Sequence, residues 1–322
     1  MPNRQPSARR TARLAAHAGL LILLLAVAAG NFLMARAATF TDQASVTDNA
    51  FTTDTLDPPT GLTASVVGSD IRLDWTPTTD TYATGYKVQR ATTSGGPYSF
   101  LGSAVPYTAS TLTDTFADAG IRYYYVAQTY FESWLSVYSN EANAAVPLTT
   151  GWPSPAAGAS VISNSGDNDG FESNPTNAFA DDASYAEDVN SGTANSQDCA
   201  STARDRHLFY NYGFTIPGGQ TIDGIEVRLD AWADSTTGSP KICAELSWDG
   251  GTTWTAAKTT VDLTTSEQTY TLGSASDDWG RTWSSTEFSD ANFRLRITNV
   301  ADSIWRDFRL DWVSVQVTYT PP

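Results

Sequence analysis

Short runs of alternating apolar and polar residues, separated by turn-forming residues, most strongly constrain the fold of this chain. In IDGIEVRLDAW, which spans residues 222–232, Ile225, Val227 and Leu229 point to one face of an extended strand. Glu226 lies between them and points to the other face. Similar runs recur along the chain after Gly, Pro, Asp and Thr, without a helical period of useful length. The pattern predicts an all-β protein built from antiparallel sheets.

The length and the charge of the chain limit its organisation and its partners. With 322 residues it is long enough for two ordinary domains, each with its own core. The 19 Lys and Arg residues against 35 Asp and Glu residues give a net charge of −16 and a pI near 4.3. Such a protein repels phosphate backbones, so nucleic acid is not an expected partner. Its charge favours solubility and the binding of cations.

The first 37 residues have the pattern of an export signal. Arginines precede the apolar run AGLLILLLAVAAG, and Ala35 and Ala37 supply the small residues that signal peptidase accepts at −3 and −1. The alternative is an uncleaved single-pass anchor, because the apolar stretch approaches the roughly 20 residues of a membrane span. We therefore expect an extracellular or cell-surface protein that contacts a membrane only through this segment, if it is retained.

The chain has two cysteines, Cys199 and Cys243. In an oxidising compartment such an even pair is more often a disulfide than two free thiols. In ICAELSW, the residues Ile242, Ala244 and Leu246 form one face, so Cys243 points to the opposite face. There it can hold down the polar loop that carries Cys199, and we expect a disulfide between the two.

Residues 38–57, expected to be an extended segment, resemble the mature start of secreted biofilm-matrix proteins of the camelysin and TasA type. The resemblance rests on an aromatic residue, Thr and Asp, then on Asn, Phe and Thr, and then on TLD. The residues that match the pattern are Phe40, Thr41, Asp42, Asn49, Phe51, Thr52 and Thr55 to Asp57. The resemblance implies export to the cell surface.

Residues 58–147 resemble a fibronectin type III domain. Trp75 matches the core Trp of the second strand in that family, GYKVQR resembles the next strand, and RYYYVAQTY resembles the sixth. Tyr123 or Tyr125 is then the candidate for the family's tyrosine corner. The resemblance implies a seven-stranded β-sandwich that serves as a spacer or as a protein-binding module.

A Pro/Gly/Ser/Thr-rich linker, residues 148–160, precedes a second antiparallel sandwich, residues 161–322, which we expect to be jelly-roll-like. In FRLDWVSVQVTY, residues 308–319, the apolar positions change parity, which predicts a bulge or a strand buried on both sides. SWDGGTTW matches the Asp-box pattern of sialidases, and one copy predicts a hairpin rather than that activity. The domain also resembles C-terminal modules of bacterial secreted and phage structural proteins.

The acidic stretch SGDNDGFESNPTNAFADD, residues 165–182, allows three interpretations. The first is a structural Ca²⁺ site, because Ca²⁺ takes six to eight oxygens from carboxylates, amides and carbonyls. The second is a solvated loop, and the third is a catalytic carboxylate pair. The spacing differs from that of an EF-hand loop, and no other cofactor is expected. The candidate Ca²⁺ ligands are Asp167, Asn168, Asp169, Glu172, Asp181 and Asp182.

The residues that remain do not assemble a recognisable enzyme. His207 is the one histidine after residue 37, and no nucleophile elbow or phosphate loop accompanies it. We expect a non-catalytic modular protein that acts in adhesion, matrix scaffolding or protein binding, with extracellular proteins or polysaccharide as partners. The alternative is a carbohydrate-binding module, and a glycoside-active enzyme is the third option. The tryptophans expected to stack on sugar rings are Trp232, Trp279, Trp283 and Trp305.

Overall fold

The computed structural model describes residues 55–322, which form one compact unit. The predictions for the export signal and for most of the segment at 38–57 lie outside these residues. Within residues 55–322, no helix is long and apolar enough to cross a membrane. The strands form two antiparallel sandwiches in tandem, so the predicted all-β fold class is confirmed.

The first sandwich is Fn3-like, with a three-stranded sheet in the order β1-β2-β5 facing a sheet in the order β4-β3-β6-β7, in which β8 also pairs with β6. Its strands are β1 Thr60–Val67, β2 Asp70–Thr76, β3 Gly85–Ala91, β4 Ser99–Ala104, β5 Thr111–Asp114, β6 Arg122–Phe131, β7 Trp134–Leu135 and β8 Ala142–Ala145. Trp75 lies in the core between the sheets, with its ring centroid 5.3 Å from that of Tyr86. Tyr123 fits the tyrosine corner, because its hydroxyl accepts a hydrogen bond from the backbone N–H of Asp118 (3.4 Å).

The second sandwich has two five-stranded sheets, one in the order β10-β12-β17-β14-β15 and one in the order β11-β18-β13-β16, with β9 paired to β18. Its strands are β9 Leu148–Thr149, β10 Ala157–Ser160, β11 Ala186–Asp188, β12 Arg206–Tyr210, β13 Thr221–Ala233, β14 Lys241–Ser247, β15 Lys258–Thr259, β16 Gln268–Ser274, β17 Arg294–Val300 and β18 Phe308–Thr320. Two short 3-10 helices, Pro175–Ala178 and Ser285–Phe288, connect strands. From β12 to β14 and from β16 to β18 the chain alternates between the two sheets, as in a jelly roll.

A bulge in β18 explains the parity change in its sequence. Asp230 pairs with Trp312 and the next residue, Ala231, pairs with Leu310, so Asp311 is the extra residue between them. The bulge lets Leu310 on one side and Val313 on the other both point into the core.

Part of the expected linker belongs to the second sandwich, contrary to the expected boundary. Leu148–Thr149 pairs with the end of β18, and Ala157–Ser160 pairs with β12. Backbone hydrogen bonds, such as that from the Thr150 N–H to the Val317 carbonyl (3.0 Å), hold these residues in place. Because backbone pairing needs no apolar side chains, the polar composition of the segment did not predict it.

The Asp-box residues form a tight turn after β14. The Asp249 Oδ1 atom accepts hydrogen bonds from the N–H groups of Thr252 (3.0 Å) and Thr253 (2.8 Å). The Trp254 indole N–H donates to the Gly251 carbonyl across the turn (3.1 Å). These bonds are internal to the turn and give it a structural role.

Candidate metal centre

The loop of residues 161–172, named here the acidic loop, folds back over the entrance to β12. The Gly166 N–H donates to the Thr202 carbonyl (2.9 Å), and the Phe171 N–H donates to His207 Nδ1 (3.3 Å). At Gly166 the backbone has φ of +60°, and an added Cβ would lie 1.9 Å from Asp205 Oδ1. Glycine therefore permits the close approach of the acidic loop to Asp205.

This approach brings five carboxylates together, named here the acidic pocket: Asp167, Asp169, Glu172, Asp188 and Asp205. They form two sets of three, in which the oxygens offered as ligands lie within 4.8 Å of one another. The first set is Asp167, Asp169 and Asp205, and the second is Asp169, Glu172 and Asp188. The acidic loop supplies three members, whereas Asp188 ends β11 and Asp205 precedes β12.

The two carboxylates that lie outside the loop are buried. Asp188 is 0% exposed and Asp205 is 1% exposed. One oxygen of each has a donor: Asp188 Oδ2 accepts from the Asn299 amide (2.7 Å), and Asp205 Oδ1 accepts from the Asp167 N–H (3.0 Å). In the described part of the chain, Asp188 Oδ1, Asp205 Oδ2 and Asp169 Oδ1 are buried and accept no hydrogen bond. A buried oxygen without a donor costs about 1–3 kcal/mol, and more when it is charged.

Burial and mutual repulsion raise the pKa of most of these carboxyl groups. The pKa of Asp169 and that of Asp205 are each raised to about 7. Burial is the larger cause for both groups, and the neighbouring Asp167 carboxylate is the next. Burial, and then the charge of Asp205, raises the pKa of Asp188 well above its usual range. Burial also raises the pKa of Glu172. The ionised carboxylates therefore require positive charge beside them.

Arg204 is the buried cation nearest in sequence to the pocket. It is 0% exposed, and its guanidinium donates to the carbonyls of Asn299 (2.9 Å) and Ser303 (3.1 Å). Burial lowers its pKa, and the charges of Asp188 and Asp205 oppose that shift. No ion pair among the described residues joins it to the pocket, so it adds positive charge without neutralising a carboxylate by contact.

The structure places three of the six sequence-predicted ligands, Asp167, Asp169 and Glu172, in the acidic pocket. Asp181 and Asp182 lie elsewhere, which differs from the expectation. The Asp181 carboxylate is 3.5 Å from the guanidinium of Arg228 on β13, and Asp182 accepts a hydrogen bond from the Ser184 N–H (3.0 Å). The 3-10 helix at Pro175–Ala178 separates them from the acidic loop.

Asn168 takes part in the backbone of the acidic loop. It has φ of +76°, and its N–H donates to the Ser165 carbonyl (3.0 Å), which closes a turn over residues 165–168 directly before Asp169. Asn is one of the few residue types that adopt this conformation readily.

Sequence reasoning missed Asp188 and Asp205. Asp188 follows Glu187 at the end of β11, and Asp205 stands between two arginines directly before β12. The available signal was that both residues lie at strand ends, where the chain enters or leaves a loop. Their separation from the acidic loop along the chain hid the contact.

The predicted disulfide between Cys199 and Cys243 is confirmed, with a Cα–Cα distance of 5.7 Å. Cys243 lies in β14 and is fully buried. Cys199 lies in the segment that runs from Asp188 to Asp205. The disulfide therefore links the segment between these two pocket carboxylates to β14.

The four tryptophans expected to stack on sugars differ in exposure. Trp279 (4% exposed) and Trp283 (5% exposed) belong to the core, which differs from the expectation, because their loops fold back over the sandwich. Their indole N–H groups donate to the carbonyls of Ile225 (2.9 Å) and Asp278 (2.8 Å). Trp232 is half-buried against Tyr185, whereas Trp305 is 66% exposed.

No protein-family model matches the chain, and the search of curated proteins gave no significant match. Among solved structures, a Fn3-like protein from Clostridium thermocellum is 33% identical with a TM-score of 0.25, over 28% of this chain and 92% of that one. A pectate lyase from Pectobacterium carotovorum is 22% identical with a TM-score of 0.25, over 28% and 27% of the two chains. A β-1,2-glucanase from Parabacteroides distasonis is 21% identical with a TM-score of 0.26, over 30% and 13%.

Proposed function

We propose that this chain is an exported, non-catalytic modular binding protein whose second sandwich takes up Ca²⁺ in the acidic pocket. The observation that carries the proposal is the pair of buried carboxylates, Asp188 and Asp205, each with one oxygen that accepts no hydrogen bond. A disulfide in the same sandwich is typical of proteins in an oxidising, extracellular setting.

The ligand chemistry of the pocket favours a hard cation. All five side chains offer carboxylate oxygens, and Ca²⁺ is bound by such oxygens at about 2.3 to 2.6 Å. A set of oxygens within 4.8 Å of one another is compatible with a common ion at that distance. Zn²⁺ would favour nitrogen and sulfur ligands instead. His207 is a poor ligand here, because it is buried and its Nδ1 already accepts the Phe171 N–H.

The cation would have a structural role. It would join the acidic loop to Asp188 and Asp205, which lie on separate parts of the same sandwich, and so hold the loop in place. An ordered loop beside two tandem sandwiches suits adhesion or scaffolding, with an extracellular protein or a polysaccharide as the partner. The pocket needs no substrate for this role.

We expect the full chain to melt at a higher temperature in about 10 mM CaCl₂ than in EDTA. If the free ion is at ten times its Kd, it stabilises the folded state by about 1.4 kcal/mol. For a sandwich of this size that corresponds to a rise in Tm of about 3 to 6 °C. Differential scanning calorimetry at constant ionic strength measures the difference.

The matched variants are Asp205→Asn and Asp182→Asn. We expect Asp205→Asn to reduce the Ca²⁺-dependent rise, because it removes a buried charge from the pocket. Asp182→Asn should keep it, because the Asp182 side chain bonds to its own turn. Equal Tm values for the parent in both buffers would contradict the proposal.

Carbohydrate binding is the second candidate function, and Trp305 is the observation that favours it. Its indole is 66% exposed in a loop of the second sandwich, where it can lie flat on a sugar ring. We expect a specific hit on a glycan array that Trp305→Ala loses and that the core variant Trp279→Phe keeps. An array without a reproducible hit would contradict this candidate function and leave Ca²⁺ uptake unaffected.

A further inference from the structure

We propose that the acidic pocket holds two Ca²⁺ ions, with the Asp169 carboxylate bridging them. This inference deepens the function proposed above and rests on it. It concerns how many ions the pocket takes and which residues hold each of them.

The first argument is geometric. Two oxygens bound to one Ca²⁺ at about 2.3 to 2.6 Å lie at most about 4.6 to 5.2 Å apart. The carboxylates meet this limit as two sets, one with Asp167 and Asp205 and one with Glu172 and Asp188. Among the acidic groups of residues 55–322, these five do not form a single set within 4.8 Å. Asp169 is the member that both sets share.

The second argument comes from the buried oxygens. Each set has its own deeply buried member, Asp205 in the first and Asp188 in the second, and each of these has one oxygen without a hydrogen-bond donor. The shared Asp169 also has a buried oxygen, Oδ1, without a donor. A single ion would satisfy one buried member and leave the other uncompensated.

The third argument is the charge of the pocket. Arg204 is a fully buried cation whose charge interacts with two of the five carboxylates, Asp188 and Asp205. When all five carboxylates are ionised, two divalent cations together with the charge of Arg204 balance them, whereas one cation leaves a net charge of two negative units. In two-metal sites the ions lie about 3.5 to 4 Å apart, a separation that the two oxygens of one carboxylate can span.

The test is the stoichiometry of Ca²⁺ binding to the EDTA-stripped full chain, measured by equilibrium dialysis at about 0.15 M NaCl to screen weak surface binding. We expect two ions per chain for the parent and for the control Asp182→Asn. Asp167→Asn and Glu172→Gln alter exposed members of different sets, and each should leave one ion. Asp169→Asn should weaken both, with the loss of at least one ion and a lower affinity for the other.

A second measurement tests whether the two ions are neighbours. Mn²⁺ replaces Ca²⁺ at oxygen sites, and two Mn²⁺ ions bridged by one carboxylate couple magnetically. We expect the electron paramagnetic resonance spectrum of the Mn²⁺-loaded parent to show a coupled pair, and that of Glu172→Gln to show isolated Mn²⁺.

The outcomes separate this inference from the function on which it rests. One Ca²⁺ per parent chain, or two Mn²⁺ ions without coupling, would overturn the two-ion site and leave Ca²⁺ uptake in place. No bound Ca²⁺ would overturn both. Circular dichroism of each variant excludes unfolding as the cause of a lost ion.

Discussion

Loss of the Cys199–Cys243 disulfide is expected to destabilise the second sandwich by about 4 kcal/mol. The bond joins residues 44 positions apart, and closing a loop of that length in the unfolded chain accounts for this value in the chain-entropy model. The double variant Cys199→Ser, Cys243→Ala avoids a buried hydroxyl at the fully buried Cys243. For a domain of this size the expected fall in Tm is about 8 to 16 °C, measured by calorimetry.

Reduction of the parent chain provides the control for side-chain effects. If the missing disulfide causes the fall in Tm, a thiol reductant should lower the Tm of the parent by a similar amount and leave the Tm of the double variant unchanged. A fall of less than about 2 °C in the double variant would contradict this prediction. Because the disulfide holds the segment between Asp188 and Asp205, the variant should also bind Ca²⁺ more weakly while keeping every ligand.

The fold could be predicted from the sequence because its determinants are local. Alternation in IDGIEVRLDAW places one side of β13 in the core, and the turn residues between such runs mark the ends of the strands. The parity change in β18 also predicted an irregular strand, and the structure adds that Asp311 is the extra residue. The predicted boundary between the linker and the second sandwich was wrong, because the pairing of Leu148–Thr149 with β18 depends on backbone groups, which composition does not reveal.

The candidate site was predictable only where its residues are neighbours in sequence. Asp167, Asp169 and Glu172 share one loop, so their pattern was visible. Asp188 and Asp205 reach the pocket through the positions of β11 and β12 in opposite sheets, which one sequence without contact information does not provide. Asp181 is near the acidic loop in sequence and was therefore predicted to be a ligand, but its carboxylate lies beside Arg228 instead.

The expectation that Trp279 and Trp283 are exposed was wrong for a related reason. Trp283 lies in a polar stretch, and its ring packs on Phe288 of the following 3-10 helix (ring centroids 5.3 Å apart) and on Trp248, which is distant in sequence (6.1 Å). The guanidinium of Arg281 lies over both indoles, 3.9 Å from the Trp248 ring centroid and 4.3 Å from that of Trp283. The polar stretch around Trp283 therefore did not indicate exposure, because the Arg281 guanidinium covers the ring.

Gly166→Ala is expected to reduce the Ca²⁺-dependent rise in Tm and to destabilise the second sandwich without Ca²⁺. The backbone at Gly166 has φ of +60°, where a residue with a Cβ costs about 1–2 kcal/mol. The added Cβ would lie 1.9 Å from Asp205 Oδ1 and 2.9 Å from the Asp205 backbone nitrogen. The acidic loop must therefore move away from Asp205, which separates Asp167 and Asp169 from their buried partner.

Gly213→Ala is the matched control for the conformational cost. Gly213 has φ of +65°, and no heavy atom of the described residues beyond its chain neighbours would lie within 4 Å of its added Cβ. This variant should lose a similar 1–2 kcal/mol from its backbone conformation while keeping the full rise in Tm with Ca²⁺. The difference between the two variants in CaCl₂ and in EDTA isolates the contact with Asp205. If Gly166→Ala keeps the rise that the parent has, the close approach of the acidic loop to Asp205 is not what forms the site.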